Sequence, residues 1–197
     1  MDDMNLAAAL NPDATVAARV LQLPATIELF LAQVQRRAFR AAEFSLGNAD
    51  DALDAVQDAM LRLHQHYRQQ PAAEWAPLFW GILRRRITDL QRRRKVRSIV
   101  VGWLGTPGIE DADAPVWEPA DPLADPAREV ASRAAYADLG RALRALPRRQ
   151  REAFMLRVLE GLDVGDTARA MGCSEGSVKT HLSRAMEALR RQLEDWK

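Results

Sequence analysis

The feature that most constrains the fold is a segment near the C-terminus in which two apolar helical patterns flank a glycine-containing turn. The pattern predicts a short helix over Val164–Met171, a turn at Gly172-Cys173-Ser174 and a longer helix from about Glu175. Ala168 supplies the small residue that a close helix approach requires, and Ser174 is suited to cap the second helix. Such an arrangement is typical of a DNA-reading helix-turn-helix.

The second helix of this segment has two chemically different faces. Its apolar positions recur with a helical period at Val178, Leu182, Ala185, Leu189 and Leu193. The opposite face of its N-terminal half is polar and basic, and that half of a recognition helix contacts base edges and phosphates. The residues predicted to bind DNA there are Lys179, Thr180, Ser183 and Arg184. The alternative is a plain helical hairpin with a solvated basic face.

The rest of the chain also predicts helices, without the alternation typical of strands. One amphipathic helix follows Pro24 and ends near Leu46-Gly47, where glycine is a natural stop. The next begins after Asn48 or Asp50, with acidic residues in its first turns. We expect its apolar positions to be Leu53, Val56, Met60, Leu61, Leu63 and Tyr67. A third helix carries the apolar stripe Leu78, Phe79, Ile82, Leu83, Ile87 and Leu90.

A change of composition divides the helices into two small domains. Residues 98–127 contain five prolines, three glycines and six acidic residues but no Lys or Arg, which argues against regular helix. We therefore predict an all-α protein with a weakly structured extension over 1–23, a helical domain over 24–97, an acidic Pro/Gly-containing linker over 98–127 and a helix-turn-helix domain over 128–197.

Composition and motifs argue against several other classes. Cys173 is the single cysteine, so no internal disulfide is possible, and we expect it to be a small buried residue. No Gly-rich phosphate loop or nucleophile motif occurs, and His64 and His66 lack partners for a metal. We thus expect no enzyme activity, metal or cofactor. The acidic N-terminus and the lack of an apolar run near ~20 residues predict a cytoplasmic protein without membrane insertion.

A dense basic run lies at the end of the third helix. Eight of the fourteen residues from Arg84 to Arg97 are Lys or Arg, and such a run predicts a phosphate-binding surface. Tyr67, Trp75 and Trp80 lie at or near the start of the same helix. Aromatic rings beside a basic groove hold unstacked bases. Core packing is the alternative for each of these rings.

Both halves of the chain resemble the sigma-70 family of bacterial RNA polymerase subunits, specifically its extracytoplasmic-function (ECF) group. The segment LGRALRALPRRQREAFMLRVLEGLDVGDTARAMGCSEGSVKTHLSRAMEALRRQL resembles region 4. ADDALDAVQDAMLRLHQHY resembles region 2.2, and LFWGILRRRITDLQRRRKVR resembles regions 2.3 and 2.4. Because the VKTH segment also resembles the helix-turn-helix of LuxR-type regulators, a regulator without a sigma role is the alternative.

The resemblance implies a promoter-recognition subunit that binds core RNA polymerase through the clamp helices of its large subunit and through the flap. An anti-sigma factor is a further possible partner. Region 4 would read the −35 element with Lys179, Thr180, Ser183 and Arg184, and Arg149 and Arg157 are additional candidates for phosphate contact. Region 2.2 would contact core polymerase through Asp51, Asp54, Gln57 and Asp58. The residues implied at the −10 region are Tyr67, Arg68, Gln69, Trp75, Trp80, Arg84, Arg85, Arg92 and Arg93.

Overall fold

The computed structural model describes residues 24–103 and 138–194, and within them the side chains of 24–95 and 138–192. The chain divides into two compact units, one holding the described residues 24–103 and the other 138–194. Every regular element in these two ranges is helical, so the all-α prediction is confirmed. Residues 1–23 and most of the predicted linker lie outside the described residues, and the domain boundaries placed there stay predictions.

The described residues of the first unit, 24–103, form three helices: α1 (Ile27–Leu46), α2 (Ala49–Tyr67) and α3 (Ala72–Trp103). α1 ends at Gly47, whose φ of 65° is left-handed and favours glycine. Asn48 caps α2, because its Oδ1 accepts a hydrogen bond from the backbone N–H of Asp51 at 2.8 Å. The predicted end of α1 and start of α2 are therefore confirmed.

α3 is longer than the sequence suggested. It continues past Ser98 to Trp103, so the prediction that regular helix stops where the acidic segment begins is wrong for these first six residues. The five prolines of the segment begin only at Pro107, so residues 98–103 contain no proline that would interrupt the helix.

The buried face of α2 also differs from the prediction. Ala52, Ala55 and Ala59 are fully buried with Val56 and Leu63, because small side chains allow α1 and α3 to pack closely against this helix. The side chains of Leu53 and Leu61 are instead 43% and 55% exposed, so their assignment to the core was wrong.

An aromatic cluster packs α1 against α3 in the first unit. Phe79 is fully buried, with its ring centroid 5.9 Å from Phe30 and 5.4 Å from Trp80 in edge-to-face geometry. Trp75 lies 6.1 Å from Phe30. This cluster fixes the start of α3, from which the helix runs towards its basic end.

The second unit holds the helix-turn-helix. A helix α4, whose described part is 138–145, precedes α5 (Arg148–Phe154), which continues as a π-helical turn over Met155–Leu159. α6 (Val164–Met171) and α7 (Glu175–Glu194) follow. These bounds confirm the predicted short helix, turn and long helix.

The turn between α6 and α7 is built as its sequence indicates. Gly172 has a φ of 64°, and Ser174 Oγ accepts from the backbone N–H of Ser177 at 3.2 Å, so the predicted cap is confirmed. Ala168 is buried, as is expected for a close approach of the two helices. Cys173 is only half-buried, because it lies in the turn itself, so the expectation of a buried cysteine was wrong.

Candidate nucleic-acid interface

The predicted recognition face of α7 is open to solvent. Lys179, Thr180, Ser183 and Arg184 are all exposed, whereas Val178 and Ala185 on the other side of the helix are fully buried. Thr180 Oγ1 donates to the backbone carbonyl of Gly176 at 2.9 Å. The arrangement presents two cations and two hydroxyls on one face, as a helix reading the major groove requires.

Polar contacts fix α6 and the segment before it against α5 and its π-helical turn. Thr167 is fully buried, and its Oγ1 donates to the carbonyl of Asp163 at 2.7 Å. Arg149 Nη1 donates to the carbonyl of Met171 at 2.9 Å, which ties α5 to the end of α6. Arg157 is 4% exposed and donates to the carbonyl of Leu162. The prediction that Arg157 contacts phosphate is therefore wrong, because its guanidinium is used inside the domain.

The predicted polymerase-contacting residues of α2 fall into two pairs. Asp54 and Gln57 are exposed. Asp51 forms an ion pair with Arg94 of α3, and Asp58 Oδ1 lies 3.1 Å from Arg62 Nε while its Oδ2 lies 3.5 Å from Arg86 Nε. Two of the four carboxylate or amide side chains are thus open to a partner, and the other two already have partners within this unit.

The exposed leucines of α2 complete a surface that sequence reasoning missed. Leu53, Gln57 and Leu61 recur at four-residue spacing and therefore share one face of the helix, beside Asp54. We call Leu53, Asp54, Gln57 and Leu61 the α2 face. The three alanines that form the opposite, buried face were the signal available in the sequence.

The residues predicted to contact the −10 region lie at both ends of α3. Arg68 and Gln69 are exposed in the turn between α2 and α3, next to the half-buried Tyr67 at the end of α2. Among the predicted residues farther along α3, Arg85, Arg92 and Arg93 are exposed and Arg84 is half-buried; Arg94 and Lys95 beside them are exposed too. These cations give one long helix a basic outer surface.

Trp75 and Trp80 are placed differently from the prediction. Both are 6% exposed and pack in the aromatic cluster, so neither offers an open ring face for a base in this structure, and their placement matches the alternative of core packing. The physical reason is the position of the two rings beside Phe30 and Phe79, where burying apolar area stabilises the fold. The Trp75 Nε1 hydrogen has no acceptor within the described part of the chain.

His64 and Glu28 meet where the end of α2 packs near the start of α1, with His64 Nε2 3.6 Å from Glu28 Oε1. The pKa of Glu28 is lowered from its ordinary value, first by the Glu28 backbone N–H, then by the Thr26 hydroxyl and, to a smaller extent, by His64. His64 thus has a carboxylate neighbour that the sequence did not indicate.

Comparison with known proteins decides the family. Residues 29–97 match the family model described as Sigma-70 region 2, and residues 136–189 match that described as Sigma-70, region 4. The chain is 32% identical over 162 residues to the ECF RNA polymerase sigma factor SigM of Mycobacterium tuberculosis, covering 80% of this chain and 72% of that protein. The chain belongs to the ECF group of the sigma-70 family.

Other relatives agree with this assignment. The sigma factor is 31% identical over 165 residues to the ECF RNA polymerase sigma factor SigF of Caulobacter vibrioides, covering 82% of this chain and 80% of that protein. It is also similar, at 25% identity and a TM-score of 0.58, to the sigma factor RpoE of Bartonella quintana, solved in complex with the anti-sigma factor NepR. That match covers 84% of this chain and 96% of the other.

The family assignment bears on the alternatives left open by the sequence. A LuxR-like regulator is not favoured, because the match to region 2 accounts for the N-terminal unit as well as the helix-turn-helix. Sigma factors are in general non-enzymatic DNA-recognition proteins. Within 24–103 and 138–194, no helix is both long enough and apolar enough to cross a membrane.

Proposed function

We propose that this sigma factor works, without enzymatic activity of its own and in the cytoplasm, by bringing three surfaces to core polymerase and promoter DNA. The α2 face docks on the clamp helices of the large polymerase subunit, the outer surface of α3 binds the −10 region, and α7 reads the −35 element. The observation that carries the proposal is the recognition face of α7, where all four residues singled out by the sequence are exposed opposite a closed core.

Polymerase docking rests on a revised set of residues. Leu53 and Leu61 are large apolar side chains left in solvent on the same face as Asp54 and Gln57. Interfaces gain most of their affinity from apolar or aromatic anchors surrounded by polar contacts. We therefore assign the two leucines as anchors and Asp54 and Gln57 as the polar contacts beside them. Asp51 and Asp58 are left out, because each is already in an ion pair.

Promoter binding divides between the two units. Along α3, phosphate contacts come from Arg85, Arg92 and Arg93, with Arg84 beside them. The turn before α3 contains Arg68 and Gln69, and there an extruded base of the −10 element would be held together with Tyr67. Lys179, Thr180, Ser183 and Arg184 read the −35 duplex. Trp75 and Trp80 support this surface from within the core.

Run-off transcription with purified core polymerase and a promoter library tests the proposal as a whole. We expect promoter-dependent transcripts only when this chain is added. Tight, sequence-specific binding of duplex DNA by the free chain, with no transcript in the presence of core polymerase, would contradict it and favour an ordinary helix-turn-helix regulator.

The docking role of the α2 face gives a separate prediction. Leu53→Ala and Leu61→Ala are each expected to lower affinity for core polymerase by about 10-fold, the equivalent of ~1.4 kcal/mol of lost apolar burial. Because both side chains are exposed in the free protein, the midpoint of thermal unfolding should change little. Fluorescence anisotropy of a labelled chain titrated with core polymerase measures the affinity.

Leu29→Ala is the matched control, since Leu29 is a leucine 51% exposed on α1. It should leave core affinity within about twofold of wild type, as is usual for a substitution outside an interface. Equal losses for all three leucines would mean that general surface hydrophobicity, and not the α2 face, determines binding.

An anti-sigma partner is part of the proposal because the relative from Bartonella quintana was solved with one. Such a partner would compete with core polymerase for the α2 face. In a competition assay between core polymerase and a candidate anti-sigma protein, Leu53→Ala should weaken the binding of both to the sigma factor. If the anti-sigma protein binds with unchanged affinity, it does not use this face.

A further inference from the structure

The basic end of α3 is fastened to the junction of α1 and α2 by two side chains. Gln91 Nε2 donates to the carbonyl of Ser45 at 2.8 Å, and Arg94 Nη1 donates to the carbonyl of Leu46 at 2.5 Å. Arg94 Nη2 also donates to Oδ2 of Asp51, in the first turn of α2. We call Gln91, Arg94 and Asp51 the α3 latch.

The acceptors of the latch are groups that need partners from outside their own helix. The last four carbonyls of a helix have no intrahelical donor, and Ser45 and Leu46 are the last two residues of α1. The backbone N–H of Gly47 bonds to the carbonyl of Glu43 instead. α3 therefore supplies two hydrogen bonds that the sequence of α1 cannot supply for itself.

The latch lies beyond the last buried side chain of the described part of α3. Phe79 and Leu83 are buried, and Thr88 is the last buried side chain among those described on this helix. Beyond Thr88, Leu90 is only half-buried, and the hydrogen bonds of Gln91 and Arg94 join this end of α3 to the end of α1.

The two residues between the latch donors, Arg92 and Arg93, lie on a different side of the helix. Gln91 and Arg94 are three residues apart and so lie on one side of the helix. Arg92 and Arg93 fall between them and are exposed. The same helical turn thus bonds to α1 and α2 through Gln91 and the partly exposed Arg94, while Arg92 and Arg93 on its other side are open to solvent.

We propose that Gln91, Arg94 and Asp51 are positioning residues that hold Arg92 and Arg93 in the orientation needed to bind promoter DNA. The inference rests on the proposed role of α3 at the −10 region. It gives Asp51 a role in DNA binding through Arg94, in place of the polymerase contact implied by resemblance. Arg94 acts as a two-pronged donor to a carbonyl and a carboxylate and not as a phosphate contact.

Substitution by lysine distinguishes an arginine that positions the helix from an arginine that contacts phosphate. A lysine keeps the positive charge for phosphate but lacks the planar fork that reaches two acceptors in fixed directions. In holoenzyme with core polymerase, Arg94→Lys and Arg94→Met should both lower affinity for a −10 fork-junction DNA by about 5- to 10-fold. Arg93→Lys should stay within about twofold of wild type, and Arg93→Met should lose about 5- to 10-fold. Wild-type affinity for Arg94→Lys with a loss for Arg94→Met would overturn the proposal.

Two further variants test the latch without changing a candidate DNA contact. Gln91→Leu and Asp51→Asn should each lower fork-junction affinity by about 3- to 10-fold and leave affinity for core polymerase unchanged. Asp54→Asn is the matched control for Asp51→Asn, and it should lower core affinity instead. Loss of core affinity in Asp51→Asn, with normal DNA binding, would overturn the assignment of Asp51.

Amide hydrogen exchange in the free chain reports on the latch independently of DNA. Exchange over residues 92–97 should be faster in Gln91→Leu and Arg94→Lys than in wild type, because the helix end opens more often. Unchanged exchange in both variants would overturn the latch. A further outcome separates the latch from the proposed function. If exchange is faster in the latch variants, but Arg92→Gln and Arg93→Gln bind fork-junction DNA as wild type does, the latch contacts are supported and the proposed DNA-binding role of the end of α3 is contradicted.

Discussion

Replacing Lys179 and Arg184 together by alanine is expected to lower transcription from a −35-dependent promoter by about 100-fold. Both side chains are exposed on α7, opposite the buried Val178 and Ala185, so the change removes two candidate DNA contacts without opening the core. A good base contact contributes ~1–3 kcal/mol, which corresponds to a factor of about 5 to 150. Run-off transcription with core polymerase, on templates with an intact and a scrambled −35 element, measures the effect.

Arg191→Ala on the same helix is the control for lost charge. Arg191 is exposed and lies 3.1 Å from Glu187, nearer the C-terminal end of α7 than the recognition face. Its replacement should change transcription by less than about twofold, since an exposed i,i+4 ion pair contributes little. If the double variant lost activity equally on both templates, or if Arg191→Ala were equally harmful, recognition of the −35 element by this face would be excluded.

The helix boundaries were predictable because local residues encode them. Asn48 and Ser174 each accept a backbone hydrogen bond at a helix start, and Gly47 and Gly172 end the preceding helices with a positive φ. These signals act over three or four residues and need no tertiary context. Hence the helix-turn-helix was placed correctly from sequence alone.

The buried face of a helix was harder to predict, because it depends on the neighbours of that helix. On α2, hydrophobicity predicts that Leu53 and Leu61 are buried. Close packing of the helices instead buries Ala52, Ala55 and Ala59. Three alanines let two other helices approach, and the leucines on the far side are left for a partner. A stripe counted by hydrophobicity alone gives the larger residues too much weight.

Partners of charged side chains could not be predicted, because they are distant in sequence. Asp51 meets Arg94 from another helix, and Arg157 donates to a carbonyl across a turn. The sequence indicated that these residues are charged, but a charge fits a polymerase surface, a phosphate or an internal acceptor equally well. Only the fold shows which candidate side chains already have partners.

Trp80→Ala is expected to lower the free energy of unfolding of the N-terminal unit by about 3–5 kcal/mol. Trp80 is 6% exposed and packs against Phe79, so truncation leaves a cavity in the aromatic cluster that the three helices cannot fill. For a unit of this size each kcal/mol lowers the unfolding midpoint by roughly 4–8 °C. Calorimetry and circular dichroism of the full chain measure the shift.

The same variant decides between a core role and a base-binding role for this ring. If Trp80 is a core residue, Trp80→Ala should resemble Phe79→Ala, whose ring is fully buried, and both should lose core-polymerase binding along with DNA binding as the unit unfolds. Arg85→Ala, on the exposed side of the same helix, should instead weaken DNA binding at an unchanged unfolding midpoint. A Trp80→Ala chain that melts as wild type and binds core polymerase, yet fails to open the −10 region, would return the ring to the DNA interface. Burial beside Phe79 leads us to expect the first result.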